Sequence, residues 1–167
     1  VYEFLKDIHE YLRQLINIYP SQEDAFNAVK ELYSDCCMPF YESMIDSVLL
    51  NDFDSKQFYD LKFNLVHQKI LYSSLYDDRE LQKFIYERWT KYGLDLLIDS
   101  GKEESVILDY VSQYADSEAV QVNYVDYYVR KGHYQKAIDI LDEHTGHAYE
   151  VKRQEVIEAI NHHKEVS

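Results

Sequence analysis

Glycine and proline are scarce in this chain, four and two among 167 residues. So few leave little room for the many tight turns of an all-β fold. The two cysteines, Cys36 and Cys37, are adjacent. Neighbours in sequence rarely bridge each other without strain, so reduced thiols in a cytoplasmic protein are the expectation. No run free of charged residues exceeds 9, too short for a membrane span of the usual length. No signal-peptide pattern opens the chain. Its first residue is Val rather than Met, which reads as a domain excised from something longer. Cations are outnumbered, with 17 Lys and Arg against 31 Asp and Glu and a net charge of −14. That argues against a general nucleic-acid binder, which needs Lys and Arg to neutralise phosphate, and it disfavours an anionic membrane surface. A basic peptide or a basic protein face is the partner such a surface admits, beside the plainer reading that acid keeps the chain soluble. The acid is uneven: residues 1–60 hold 12 Asp and Glu against 4 Lys and Arg, residues 61–167 hold 19 against 13.

What the chain does have is apolar and aromatic surface. Hydrophobic residues make up 46%, and 17 residues are Tyr. A chain this long buries roughly 70% of the surface it exposes when unfolded, enough core without disulfide or metal. Apolar side chains recur at helical spacing almost throughout. Phe4, Leu5, Ile8, Tyr11, Leu12, Leu15 and Ile16 mark a helix over 2–18, closed by Pro20. Ser21 with Asp24 resembles a helix-start signal; that helix runs to about Tyr33, with Phe26, Val29 and Leu32 inward. Pro39 sits where a third begins, and Met44, Ile45, Val48 and Leu49 continue its stripe. After the capping-rich turn at 51–55 a long fourth helix places Phe58, Leu61, Leu65, Leu71 and Leu75 at its apolar positions. Asp77 and Asp78 start a fifth, carrying Leu81, Phe84, Ile85, Trp89, Leu96 and Leu97, with Gly93 a possible kink and Gly101 its end. The sixth spans about 103–114, with Val106, Ile107, Tyr110 and Val111 inward. Asp116 and Ser117 cap the seventh, to Lys131. The eighth is 134–144 and the last about 148–163, with Val156, Ile157 and Ile160 facing in. About nine helices on short connectors predict one all-α domain over 1–167, irregular through 1–76 and built of stacked antiparallel hairpins through 77–163.

The hairpin pattern is sharpest at Tyr124–Leu141. Gly132 suits the left-handed position that ends a helix, and Tyr134, Ala137, Ile138 and Leu141 form the stripe of the next one. The stretch beginning at Gly101 aligns with that beginning at Gly132 at an offset of 31, a period that suits a two-helix repeat. The run Tyr128-x-x-x-Gly132-x-Tyr134-x-x-Ala137-x-x-x-Leu141 resembles the tetratricopeptide (TPR) helix-turn-helix, although the tryptophan at that motif's start and the proline at its end are not filled. The resemblance implies a right-handed solenoid that holds a protein or peptide on its concave face. A longer order, Trp89…Leu96-Leu97…Gly101…Ile107…Tyr110…Tyr114…Val122…Tyr128…Gly132…Tyr134…Ala137-Ile138…Leu141, is similar to the helical region that follows the finger in bacterial SWIM zinc-finger proteins. It implies a C-terminal module that contacts protein, with the Cys-x-Cys…Cys-x-His finger and any nucleic-acid binding outside this chain; Cys36-Cys37 has the wrong spacing for such a finger.

Reaction chemistry has little to stand on. There is no Gly-rich phosphate loop, Gly-x-Ser-x-Gly or His-Glu-x-x-His. His144, His147, His162 and His163 offer imidazoles for zinc, but the first two straddle a Thr-Gly turn, and solvated histidines are the default. Cys36 and Cys37 would meet His9 or His67 only by accident of folding. Asp77-Asp78 and Glu103-Glu104 read as helix-start charges. The expectation is a non-catalytic interaction module with no cofactor and no metal. Arg88, Trp89, Tyr92, Tyr124 and Tyr127 are its candidate partner-binding residues: a lone Trp on an apolar stripe is usually core, and in a groove it is an anchor.

Overall fold

A computed structural model describes residues 10–14, 16–35 and 39–166. Phe4, Leu5, Ile8, His9, Leu15, Cys36 and Cys37 lie outside the described residues. Among those described there is no strand, and no helix is long and apolar enough to cross a membrane. The protein is all-α. After a helical stretch at 10–14 come α1 (Gln22–Glu31), a 3-10 turn (Leu32–Asp35), α2 (Pro39–Asn51), α3 (Tyr59–Ser73), α4 (Arg79–Asp99), α5 (Glu104–Gln113), α6 (Glu118–Arg130), α7 (Tyr134–Asp142) and α8 (His147–Val166). The chain divides into two compact units, one ending at Lys62 and one beginning at Phe63.

In the first unit Ser21 caps α1. Its Oγ accepts the Asp24 backbone N–H at 3.1 Å and donates to the Asp24 carboxylate at 2.7 Å, so the side chain answers one of the unpaired N–H groups of the first turn. Ala25, Phe26 and Val29 then face inward. The Phe26 ring meets Phe53 at 5.1 Å, edge on, and stacks on Phe58 at 5.7 Å. Val48 and Leu49 of α2 are fully buried. In the connector to α3, Asp54 accepts the N–H groups of Gln57 and Lys56 at 2.7 and 2.9 Å, and these bonds, Gln57 first, hold its carboxyl below the usual range. The unexpected core residue is Lys62. It is fully buried, and its ammonium donates to the Leu50 and Phe53 carbonyls at 2.6 and 2.5 Å and to Ser55 Oγ at 3.4 Å. A cation thus closes the C-terminal end of α2, where the helix dipole favours one.

In the second unit α4 packs on α5 and along α6; α6 packs on α5, α7 and α8; α7 packs on α8. Gly101 and Gly132 both adopt φ +72°. At each, the N–H one residue on reaches back to the carbonyl four residues before the glycine: Lys102 to Leu97 at 3.0 Å and His133 to Tyr128 at 2.9 Å. Both helices therefore end in the same six-to-one bond, and the turns repeat at the offset of 31. The burial of the following helices does not: Ala137 is fully buried, whereas Val106, its counterpart, is 42% exposed. The inward face of α5 begins one residue later, at Ile107.

Gly93 lies inside α4, which is continuous from Arg79 to Asp99. It makes room. The Tyr110 hydroxyl crosses from α5 to donate to the Thr90 carbonyl at 2.9 Å, and a Cβ on Gly93 would lie 2.0 Å from that oxygen.

Several apolar residues expected inside are exposed: Tyr11, Leu71, Leu75, Leu81, Phe84, Val106 and Ile157. In α3 the reason is phase. The buried side chains are Phe58 just before the helix, then Lys62, Leu65, Val66, Ile70 and Ser73, a 3.6-residue face that leaves Leu71 off it. Leu75 lies beyond the helix, in a turn.

Candidate functional site

The helix α3 ends at Ser73, where the Ser73 and Ser74 hydroxyls fold back on the Ile70 and Leu71 carbonyls at 2.7 and 2.8 Å. The chain turns, and Asp78 caps α4 by accepting the N–H groups of Glu80 and Leu81 at 2.8 and 3.1 Å. This reversal leaves a hollow of about 550 Å³. One wall is Ile70 and Leu71. The other is one face of α4, Arg79, Gln82, Lys83, Tyr86 and Glu87, with Asp116 at the far end. The α4 residues fall at i, i+3, i+4, i+7 and i+8, so a single helix face carries them.

A second hollow, about 300 Å³, shares Lys83 and Glu87 and is lined further by Glu118, Ala119, Val122 and Asn123 of α6 and Ala148 of α8. The two hollows adjoin at Lys83 and Glu87, which line both. The apolar lining of the first is partly accessible, with Leu71 60% exposed.

Hydrogen bonds tie this face of α4 to the start of α6. The Glu87 carboxylate accepts from Ser117 Oγ at 2.7 Å, from the Ala119 N–H at 2.8 Å and from the Glu118 N–H at 3.3 Å. Both its oxygens are spent on the positive end of α6. Thr90 Oγ1 meets Ser117 Oγ at 2.9 Å. The Tyr86 hydroxyl donates to Asp116 at 2.8 Å; burial first, then that bond, pushes its phenol well above the ordinary value. Replacing Glu87 with Gln keeps the size of the side chain and removes the charge facing the α6 amides. Charge-assisted bonds to such groups contribute about 1.5–3 kcal/mol each, so Glu87→Gln is expected to cost about 2 kcal/mol in a urea titration, with Glu87→Ala costing more.

The partner-binding candidates fall in two groups, on α4 and α6. Trp89 is 3% exposed, edge on to Tyr92 at 5.4 Å. The Arg88 guanidinium lies 5.9 Å from the Trp89 ring and 5.5 Å from the Tyr92 ring, and the Lys69 ammonium lies 5.6 Å from Trp89. On α6 the Tyr124 and Tyr127 rings stack at 6.0 Å and both are buried. Tyr124 and Tyr128 share a hydroxyl bond of 2.6 Å, Tyr128 continues it to Glu104 at 3.1 Å, and Lys131 donates to Tyr127. Burial raises the Tyr124 and Tyr128 phenols. These rings tie α5, α6 and the turn before α7 together. Arg88 and Tyr92 stay partly accessible. Among the described residues no group of three or more His, Cys, Asp or Glu is placed to hold a metal; the His144 ring stacks on Tyr149 at 4.8 Å.

No protein-family model, curated protein or solved structure matches this chain. No motif in the sequence marks the hollow itself. Its local sign in the sequence is Arg79 at the first position of a helix, where the dipole disfavours a cation.

Proposed function

We propose that the second unit is a non-catalytic, TPR-like interaction module that acts in the cytoplasm and holds an extended stretch of a partner protein along the path over α4, α6 and α8. The observation that carries this is the pair of hollows joined at Lys83 and Glu87. In a stack of helical hairpins successive repeats build one extended surface, and on this reading α4, α6 and α8 are the first helices of successive pairs. An extended segment laid across them meets apolar wall in both hollows and polar side chains between. The buried rings of Trp89, Tyr124 and Tyr127 set the spacing of the helices. A place as the protein-contacting part of a larger SWIM-type protein is compatible with this role and rests on the order of residues alone.

The test is selection from a random-peptide library against the folded protein, followed by affinity measurements on Val122→Arg. Val122 is partly exposed and lines the second hollow, so the variant keeps its core. Selected peptides are expected to lose at least about tenfold in affinity, which is about 1.4 kcal/mol, with an unchanged circular-dichroism melt. Failure to select any peptide, or peptides indifferent to both Val122→Arg and Leu71→Arg, overturns the reading.

A further inference from the structure

The chain's net charge of −14 points to a basic partner, but the first hollow is lined by two cations and two carboxylates, and among the described residues only the carboxylates of these are engaged within the protein. At physiological ionic strength the Debye length is about 8 Å, so a bound segment responds to the charges beside it more than to the total. Four charged side chains line this hollow: Arg79, Lys83, Glu87 and Asp116. Both carboxylates already have work within the protein. Glu87 gives its two oxygens to Ser117 and the first amides of α6, and Asp116 accepts from Tyr86.

Arg79 and Lys83 have no such engagement. Among the described residues neither makes an ion pair or a side-chain hydrogen bond. Lys83 lies one turn from Glu87, yet Glu87 aims at α6 and leaves it. Arg79 occupies the first turn of α4, where a cation gains nothing from the helix dipole. Helix stability therefore accounts for neither cation, and they stand four residues apart on the face that looks into the hollow. Opposite them is the apolar wall of Ile70 and Leu71.

We propose that the occupant of this hollow is an acidic segment of a partner protein, which sets an apolar side chain against Ile70 and Leu71 and a neighbouring Asp or Glu carboxylate on Arg79 and Lys83. The guanidinium fork takes a carboxylate in two parallel bonds, and the ammonium takes it as a point charge. The inference rests on the reading of the groove as a peptide site and specifies what that site selects.

The probes are three fluorescein-labelled octapeptides with a central Leu flanked by Glu, by Gln or by Lys, titrated into the full chain by fluorescence anisotropy. The Glu peptide is expected to bind at least tenfold more tightly than the Gln peptide, with the Lys peptide weakest and the Glu preference fading in high salt. Arg79→Glu combined with Lys83→Glu is expected to invert the order, so that the Lys peptide becomes the tightest. Both positions are exposed, and inversion of preference cannot arise from misfolding. Equal binding of the Glu and Lys peptides, a preference for Lys, or an order unmoved by the charge reversal overturns the proposal. So does the absence of binding by all three. In that last case library-selected peptides that still depend on Val122 leave the groove reading standing, and their loss as well removes both.

Discussion

Gly93→Ala is expected to destabilise the second unit by about 1–3 kcal/mol net, against the direction helix propensity alone would give. In a plain helix interior the change from Gly to Ala is worth roughly 1 kcal/mol in favour of Ala. Here the added Cβ would lie 2.0 Å from the Tyr110 hydroxyl and 2.7 Å from its ring carbon. The ring has little freedom to retreat, because it packs against Tyr114 at 4.6 Å and Phe63 at 6.2 Å. Overpacking of this kind costs about 1–3 kcal/mol, and loss of the hydroxyl bond to the Thr90 carbonyl adds about 1 kcal/mol. The single tryptophan, Trp89, lies on the same helix, so its fluorescence in urea reads the transition directly. In a Tyr110→Leu background the penalty is expected to shrink by more than 1 kcal/mol, since neighbours that clash are not additive. An alanine that leaves the midpoint unchanged, or that costs the same with and without Tyr110, removes the close approach as the reason for this glycine.

Lys62→Met is expected to cost the first unit about 2–4 kcal/mol although it replaces a buried charge with an apolar side chain of similar length. The gain is relief of burying an ammonium. The loss is larger: the Leu50 and Phe53 carbonyls, which take that ammonium at 2.6 and 2.5 Å, are left without it, at about 1–3 kcal/mol each. Hydrogen exchange separates the two. Amides of the last turn of α2 are expected to lose protection ahead of those of α1. A variant as stable as the parent, with unaltered exchange in that turn, would show that the lysine is incidental to the end of α2.

These two residues also show how far the sequence could be read. Helical periodicity located every described helix, because each buries an apolar stripe that a 3.6-residue period exposes to inspection: Phe26 with Val29, Ile107 with Tyr110 and Val111, Ala137 with Leu141. Capping chemistry located several starts, at Ser21, Asp78 and Ser117, since only a few side chains can answer the free amides there. The glycines at 101 and 132 announced their turns through the backbone conformation they alone adopt freely. What stayed hidden depends on partners distant in the chain. Nothing beside Gly93 says that Tyr110 will cross to it. Lys62 occupies a core position whose residue type argues for the surface. Leu71 and Phe84 match helical spacing as well as their buried neighbours do, and only the packing of the helices shows which of two adjacent phases faces in. The candidate site is made of such residues, so it emerged from the fold and not from a motif.

The most direct test of the account is to map, by amide chemical-shift changes, where a library-selected peptide sits on the isotope-labelled protein. The account predicts shifts concentrated at Ile70–Leu71, along Arg79–Glu87, over Ala119–Asn123 and at Ala148. Shifts centred on Arg88 and Tyr92 or on Tyr127, with the shared wall at Lys83 and Glu87 unmoved, would contradict it.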